Sequence, residues 1–230
     1  MNIVTLCDIY CKTANDVTDP YQYLDSGLYV HFTETPQHFG INPGRHKSIS
    51  LTGGPNGVYA YEWTKDMLNG KMTVFTHRPF LVLFRPLHPD KILDIATYSE
   101  QQLKTDLEKL RSHVEPLLID TAIKRLDKYL GKFDIFRKTL SNAFGTPGGK
   151  LYYVISKLIE HELIDPEAPI PYDTPGVVST SYANKIFKLL GYTGFTDRYG
   201  VLHTSEPNQT VFFDPSQLQV IGTFNNPLAR

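Results

Sequence analysis

The order of segment types along the chain is the feature that most restricts its fold. Short β-branched and aromatic runs fill residues 1–98, an apolar repeat typical of helices occupies about 99–164, and strand-like runs return in 165–230. Strands on both sides of a block of helices fit an α+β protein and not a repeated β-α-β unit. We therefore predict one curved, mostly antiparallel sheet, to which both parts of the chain contribute, with a helical layer packed on it.

The predicted strands are short and are separated by clusters of Gly, Pro and Asn. In the first part they are YVHF (29–32), GVYAYEW (57–63), MTVFTH (72–77) and PFLVLFR (79–85). In the last part they are GFTD (194–197), GVLH (200–203), QTVFFD (209–214) and LQVIGTF (218–224).

The middle of the chain carries apolar residues at a 4-3-4-3 spacing, which is typical of helices. They are Leu103, Leu107, Leu110, Val114 and Leu117. Pro116 should end one helix near Val114 and open the next, which runs to Gly131. Further helices are expected near 132–144, 150–162 and 179–190.

Composition narrows the function classes. The chain has 230 residues, 23 basic and 24 acidic, which argues against a strongly basic nucleic-acid wrapper but leaves a local basic patch open. With 41% apolar and 12% aromatic residues it can bury a core of its own. The first twenty residues lack the pattern of a signal peptide, and no apolar run reaches the length of a membrane span. We expect a single domain over 1–230, located in the cytoplasm and without a membrane partner.

Common catalytic and metal motifs are absent from the sequence. The eight histidines are scattered, and Cys7 and Cys11 have no further ligands at zinc-site spacing, so we predict no metal site. Neither G-x-S-x-G nor G-x-G-x-x-G occurs. The segment FGTPGGKL (144–151) differs from a phosphate-binding loop in its glycine spacing and has Leu151 in place of the hydroxyl. A glycine-rich turn that opens a helix is the simpler interpretation.

Three short signals remain, all on predicted strands and turns. They are YVHFT (29–33), GVYAY (57–61), and LGYTGF (190–195) followed by HTSEPNQTVFFDPSQ (203–217). In this order they resemble the ADP-ribosyltransferase-like superfamily, and more narrowly its phage-encoded and prophage-encoded members. The resemblance covers about 27–63 and 145–222, roughly half of the chain.

The resemblance implies a split ADP-ribosyltransferase-like core, formed by about 1–98 and 145–230, with a helical insertion at about 99–144. It also implies an activity. ADP-ribose would pass from NAD to a macromolecular acceptor, a protein or a nucleic acid, and nicotinamide would be released. The protein would then be a cytoplasmic enzyme, or toxin, of phage–host conflict in a bacterial or phage-infected host cell.

Such chemistry needs a carboxylate near the ribose, because NAD cleavage passes through an oxocarbenium-like state. By resemblance, His31 and Thr33, two residues further on, would bind the cofactor, and Tyr59 or Tyr61 would lie in the region that stacks on nicotinamide. Glu206 is the candidate catalytic carboxylate. Its alternative is an ordinary solvated carboxylate, just as His31 could be a structural histidine and the two tyrosines could be core residues.

The late strand departs from the superfamily pattern at one position. There the catalytic Glu usually begins the strand, whereas alignment of VFFDPSQ places Gln209 at that point. An amide cannot stabilise a cation as a carboxylate does, so either Glu206 reaches the site, or the activity has changed or been lost. Two further cofactor contacts are possible from loops: Arg45 on a pyrophosphate and Thr52 along the site.

Two hypotheses of different class therefore stand. One is an NAD-dependent ADP-ribosyltransferase with Glu206 and Gln209 at its catalytic centre. The other is a non-catalytic, virion-associated or partner-binding module on a degenerate fold of the same type, which would interact through the helices of 99–164. The sequence leaves the acceptor, the oligomeric state and the choice between transfer and NAD hydrolysis open.

Overall fold

The structure is a computed structural model that describes residues 19–34, 57–69, 77–130, 138–164, 182–200 and 207–229. The seven strands of this part of the chain are β1 (Tyr29–Thr33), β2 (Val58–Glu62), β3 (Phe80–Pro86), β4 (Ile92–Asp94), β5 (Gly194–Asp197), β6 (Gln209–Phe212) and β7 (Leu218–Asn225). Its six α-helices are α1 (Lys65–Asn69), α2 (Glu100–Arg111), α3 (Pro116–Leu130), α4 (Lys138–Gly145), α5 (Pro147–Ile164) and α6 (Tyr182–Leu190).

Most of the predicted elements are confirmed, and the fold class is α+β with mostly antiparallel strands. Pro116 is the first residue of a helix, as predicted, whereas the preceding helix ends at Arg111, earlier than Val114. The helix expected over 150–162 is longer at both ends. The strands predicted at 72–77 and 200–203 lie almost entirely outside the described residues.

By its contacts the chain divides into two compact units. The first comprises Met1–Ile41, Val58–Leu87 and Asp214–Arg230, and the second comprises Asn42–Gly57 and His88–Phe213. The helices predicted as an insertion belong to the second unit together with β4, β5 and β6.

The first unit contains an antiparallel sheet with the strand order β2-β1-β3-β7. Since successive side chains of a strand point to opposite faces, register decides which residues meet in the core. Val30 lies opposite Tyr61 on β2 and opposite Leu83 on β3. These three belong to one buried apolar cluster on one face of the sheet, with Leu28, Phe32, Trp63, Leu81 and Phe224.

The second unit contains a smaller sheet, in which β5 pairs with β4 in parallel and with β6 in antiparallel fashion. The sequence analysis missed β4, and with it the one parallel pairing among these strands. Helix α5 packs against α2, α3, α4 and α6. Phe195 on β5 is fully buried and contacts the rings of Tyr152 and Phe187 at centroid distances of 5.2 and 5.5 Å. In both units, then, a strand from 1–98 pairs with one from 165–230. The sequence predicted that strands from the two parts share a sheet, but not the pairing through β4.

The glycine-rich segment 144–151 contains the start of α5. The hydroxyl of Thr146 accepts a hydrogen bond from the amide of Gly149 at 3.0 Å, which is the geometry of a helix cap. A Cβ on Gly148 would lie 2.7 Å from Cα of Ile95, and one on Gly149 would lie 1.9 Å from the carbonyl oxygen of Ala143. The two glycines thus allow the first turn of α5 to press against neighbouring backbone.

Candidate functional site

The candidate cofactor residues of the first unit lie on β1 and β2, which are neighbours in its sheet. Nδ1 of His31 lies 2.7 Å from the carbonyl oxygen of Tyr59. Because a carbonyl oxygen can only accept, Nδ1 must carry the proton and donate it. In the neutral imidazole, Nε2 is then the acceptor nitrogen. The structure therefore joins the first two sequence motifs through a side chain and fixes the tautomer of His31.

Tyr59 and Tyr61 have different environments, although they are only two residues apart on β2. Tyr61 is 4% exposed and belongs to the apolar cluster of the first unit. Tyr59 is partly buried, and its burial raises the pKa of the phenol above its ordinary value. Its hydroxyl thus remains protonated at neutral pH.

Thr33 ends β1 and is buried. It lies opposite Phe80 in the ladder with β3. Since alternate residues share a face, Thr33 lies on the same side of the sheet as His31 and opposite to Val30 and Phe32. The histidine and the threonine of the first motif are therefore on the face that the apolar cluster does not occupy.

Gln209 is the first residue of β6, in the second unit. It lies directly opposite Asp197, the last residue of β5. Both side chains are buried, with 8% and 0% of their surface exposed. One residue further into the ladder, the hydroxyls of Thr196 and Thr210 are hydrogen-bonded at 2.9 Å. Polar residues on two neighbouring strands are thus paired at the start of β6, where the resemblance implies a carboxylate.

The chain leaves β5 through a turn held by two carboxylates that the sequence analysis did not single out. Oδ1 of Asp197 accepts hydrogen bonds from the amides of Tyr199 at 3.1 Å and Gly200 at 3.0 Å. Arg198 places Nε and Nη2 on Oδ2 of Asp94, at 2.7 and 2.6 Å. The other oxygen of Asp94 accepts from the amide of Ala96. These contacts fix the first residues of the connection that contains Glu206.

A second buried carboxylate supports the GYTG turn. Asp106 on α2 is 7% exposed, and its Oδ2 accepts hydrogen bonds from the hydroxyls of Tyr98 at 2.5 Å and Tyr192 at 2.7 Å. Burial, and then the hydrogen bond to Asp106, raise the pKa of both tyrosines above the ordinary value. Asp106 could have been noticed in the sequence, because it falls on the helical face of Leu103, Leu107 and Leu110.

The remaining candidates, Arg45, Thr52 and Glu206, lie outside the described residues, as do Cys7 and Cys11. Within the described ranges, no group of three or more His, Cys, Asp or Glu side chains could hold a metal ion. Nor does any helix in this part of the chain have the length and apolar character needed to cross a membrane. Comparisons of the chain with protein families, curated proteins and solved structures return no match.

Proposed function

We propose that the protein transfers ADP-ribose from NAD to a macromolecular acceptor and releases nicotinamide, in the setting of phage–host conflict. The observation that carries the proposal is the hydrogen bond between Nδ1 of His31 and the carbonyl oxygen of Tyr59, at 2.7 Å. It supports the proposal because it makes Nε2 the acceptor nitrogen of the neutral ring. A ribose hydroxyl can donate a hydrogen bond to such a nitrogen. Only the backbone of Tyr59 makes this contact: Val30 pairs with Tyr61, and alternate residues share a face, so the ring of Tyr59 lies on the face of the sheet opposite to His31.

In the proposed reaction, the bond between C1′ of the ribose and the nicotinamide nitrogen breaks, and its electron pair leaves with nicotinamide. The ribose passes through an oxocarbenium-like state, which a nearby carboxylate stabilises. A nucleophilic atom of the acceptor then bonds to C1′ and loses its proton to solvent. Glu206 is proposed as that carboxylate, and water in place of the acceptor would give NAD hydrolysis.

The first experiment measures nicotinamide release from NAD by the pure protein, with and without cell lysate. We expect release that requires lysate, and its loss in His31→Ala and in Glu206→Ala. His113→Ala and Glu108→Ala are the matched controls, because both side chains are exposed on α2 or directly after it. Release without lysate would indicate a glycohydrolase. Full activity of Glu206→Ala would remove Glu206 from the mechanism.

A non-catalytic binding module is the second candidate, and Gln209 is the observation that favours it. An amide stands where the superfamily pattern has its carboxylate, and it is buried at the start of β6. This function predicts no nicotinamide release and no stabilisation by NAD. A saturable rise in melting temperature with NAD would contradict it.

A further inference from the structure

The carboxylate of Asp106 is enclosed in the second unit without a charge of opposite sign. Asp106 is 7% exposed, and its Oδ2 accepts hydrogen bonds from the hydroxyls of Tyr98 and Tyr192. In the part of the chain that the structure describes, no basic side chain forms an ion pair with Asp106. Buried carboxylates are normally both hydrogen-bonded and paired with a cation. This one has the hydrogen bonds but lacks the cation.

The two oxygens of Asp106 are used unequally. Oδ2 accepts two hydrogen bonds, which occupy its two lone pairs. Oδ1 accepts none from the described residues. Nor is Oδ1 one of their fully buried polar atoms that lack a partner, so it retains accessible surface. A ligand can therefore reach Oδ1 without displacing either tyrosine.

The surroundings of this carboxylate suit a ligand with a charged end and an apolar stem. The rings of Tyr98 and Tyr192 are 6.4 Å apart, and their hydroxyls meet at Oδ2. Rings that exclude water from one side of a charge strengthen its attraction for a cation. Tyr98 is buried, whereas Tyr192 is partly exposed and follows Gly191, where an added Cβ would meet no atom within 4 Å. The exposed part of Tyr192 can thus contact methylene groups of a ligand.

The single available oxygen distinguishes between kinds of cation. A guanidinium binds a carboxylate best through two parallel hydrogen bonds, whereas Oδ2 of Asp106 is already occupied. A metal ion requires several ligands, and within the described ranges Asp106 belongs to no group of side chains that could supply them. A primary ammonium is a compact charge that one oxygen can bind.

We infer that Asp106, with Tyr98 and Tyr192, forms a binding site for a primary ammonium group, that of a lysine side chain or of a free amine. The ammonium donates a hydrogen bond to Oδ1 and supplies the charge that the buried carboxylate lacks. Its methylene stem lies against the exposed part of Tyr192. No covalent step is involved, and the site does not depend on the proposed reaction with NAD.

The site is tested by titrating the full chain with Nα-acetyl-lysine-N-methylamide and following the amide resonances of Gly191 and Tyr192 by NMR. We expect saturable shifts with this probe and none with its norleucine counterpart, which has the same stem but no ammonium. Asp106→Asn should raise the Kd about ten- to a hundredfold, because the charge that binds the ammonium is lost. An equal Kd in the wild type and in Asp106→Asn would overturn the inference.

Glu108→Gln is the matched control for Asp106→Asn. It removes a carboxylate from the same helix, but one that is exposed, and it should leave the Kd unchanged. Tyr192→Phe keeps the ring and the charge of Asp106 and removes one hydrogen bond to Oδ2. It should bind the lysine probe no more weakly than the wild type does. If Tyr192→Phe loses binding as completely as Asp106→Asn, the packing of the turn and not the charge is responsible, and the inference fails.

Two further probes identify the cation and its source. The arginine counterpart of the lysine probe should bind more weakly, and tighter binding would overturn the choice of an ammonium. Butylamine carries the ammonium without the peptide groups. A lower Kd for the lysine probe than for butylamine would assign the site to a protein partner, and equal values would assign it to free amines. Either result supports an ammonium site.

Discussion

At the scale of single residues, several positions of the motifs have physical roles that restrict substitution. Gly57, the first residue of GVYAY, has a φ of 156°. A Cβ at Gly57 would lie 1.9 Å from the carbonyl oxygen of Phe212 on β6. The close approach of two backbones, and not the strand itself, therefore requires glycine at this point.

We expect Gly57→Ala to lower the free energy of unfolding by about 1–3 kcal/mol, because backbone must shift to admit the methyl group. Gly145→Ala is the control, since no atom lies within 4 Å of the Cβ that it would add and its φ is not positive. Urea denaturation of both variants measures the difference. Equal free energies of unfolding would show that the backbone at Phe212 can shift without loss of stability.

The two ring nitrogens of His31 have separate roles, so the contribution of His31 to cofactor binding can be tested apart from its structural bond. The bond to the β2 backbone uses Nδ1, and the proposed ribose contact uses Nε2. Asparagine at position 31 is shorter and cannot serve both contacts. We therefore expect His31→Asn to raise the Kd for NAD about ten- to a hundredfold at nearly unchanged melting temperature, which calorimetric titration would measure. A Kd equal to that of His113→Asn would contradict the ribose contact.

At the scale of elements, helix α5 and the GYTG turn are held by polar contacts at their ends. Thr146 caps α5 through the amide of Gly149, and its hydroxyl donates to the carbonyl oxygen of Ala143. Asp106 ties α2 to Tyr98 before that helix and to Tyr192 before β5. Each contact gives a polar group at the end of an element a hydrogen-bond partner within the protein.

The cap of α5 should be worth about 1 kcal/mol. Thr146→Ala is expected to lower the free energy of unfolding by that amount, whereas Thr146→Ser keeps the hydroxyl and should retain most of it. Denaturant unfolding of the two variants side by side makes the measurement. If serine and alanine are equally destabilising, the methyl group of Thr146 and not its hydroxyl is what matters.

The carboxylate of Asp106 predicts a loss of stability in alkali. The pKa values of Tyr98 and Tyr192 are raised in the folded protein, so the unfolded chain loses these protons first, at its ordinary tyrosine pKa of about 10. The stabilisation that these two tyrosines contribute is therefore fully present below pH 10 and is lost as the pH rises above it. Tyr192→Phe should be less stable at pH 8 but should fall less steeply between pH 10 and 11. Parallel pH profiles of variant and wild type would contradict this assignment.

At the scale of the whole molecule, ligand binding links the fold to the proposed function. A ligand that binds only the folded protein stabilises it, by about 2.7 kcal/mol at a concentration of a hundred times its Kd. We expect a saturable rise of the melting temperature with NAD, and a smaller rise in His31→Asn than in His113→Asn. A melting temperature that does not change at millimolar NAD would favour the non-catalytic module.

The sequence by itself determined the kind and order of most of the elements, with β4 and α1 as exceptions, because these depend on local patterns. Apolar spacing and Pro116 located the helices from 100 to 130, and alternating or β-branched runs located β1, β2, β3, β5, β6 and β7. The resemblance also singled out His31 and the pair Tyr59 and Tyr61, and the fold joins His31 to the backbone carbonyl of Tyr59 by a hydrogen bond.

Only the tertiary structure decided which distant residues meet. The pairing of Asp197 with Gln209 depends on strand register, and a slip of one residue would have put the two side chains on opposite faces. Asp106 and Tyr192, whose side chains are bonded, are 86 residues apart in sequence. Strand β4 is three residues long and too short for a periodic signal, so its parallel pairing with β5 could be seen only in the fold. Contacts of this kind depend on how elements pack, which local patterns do not encode.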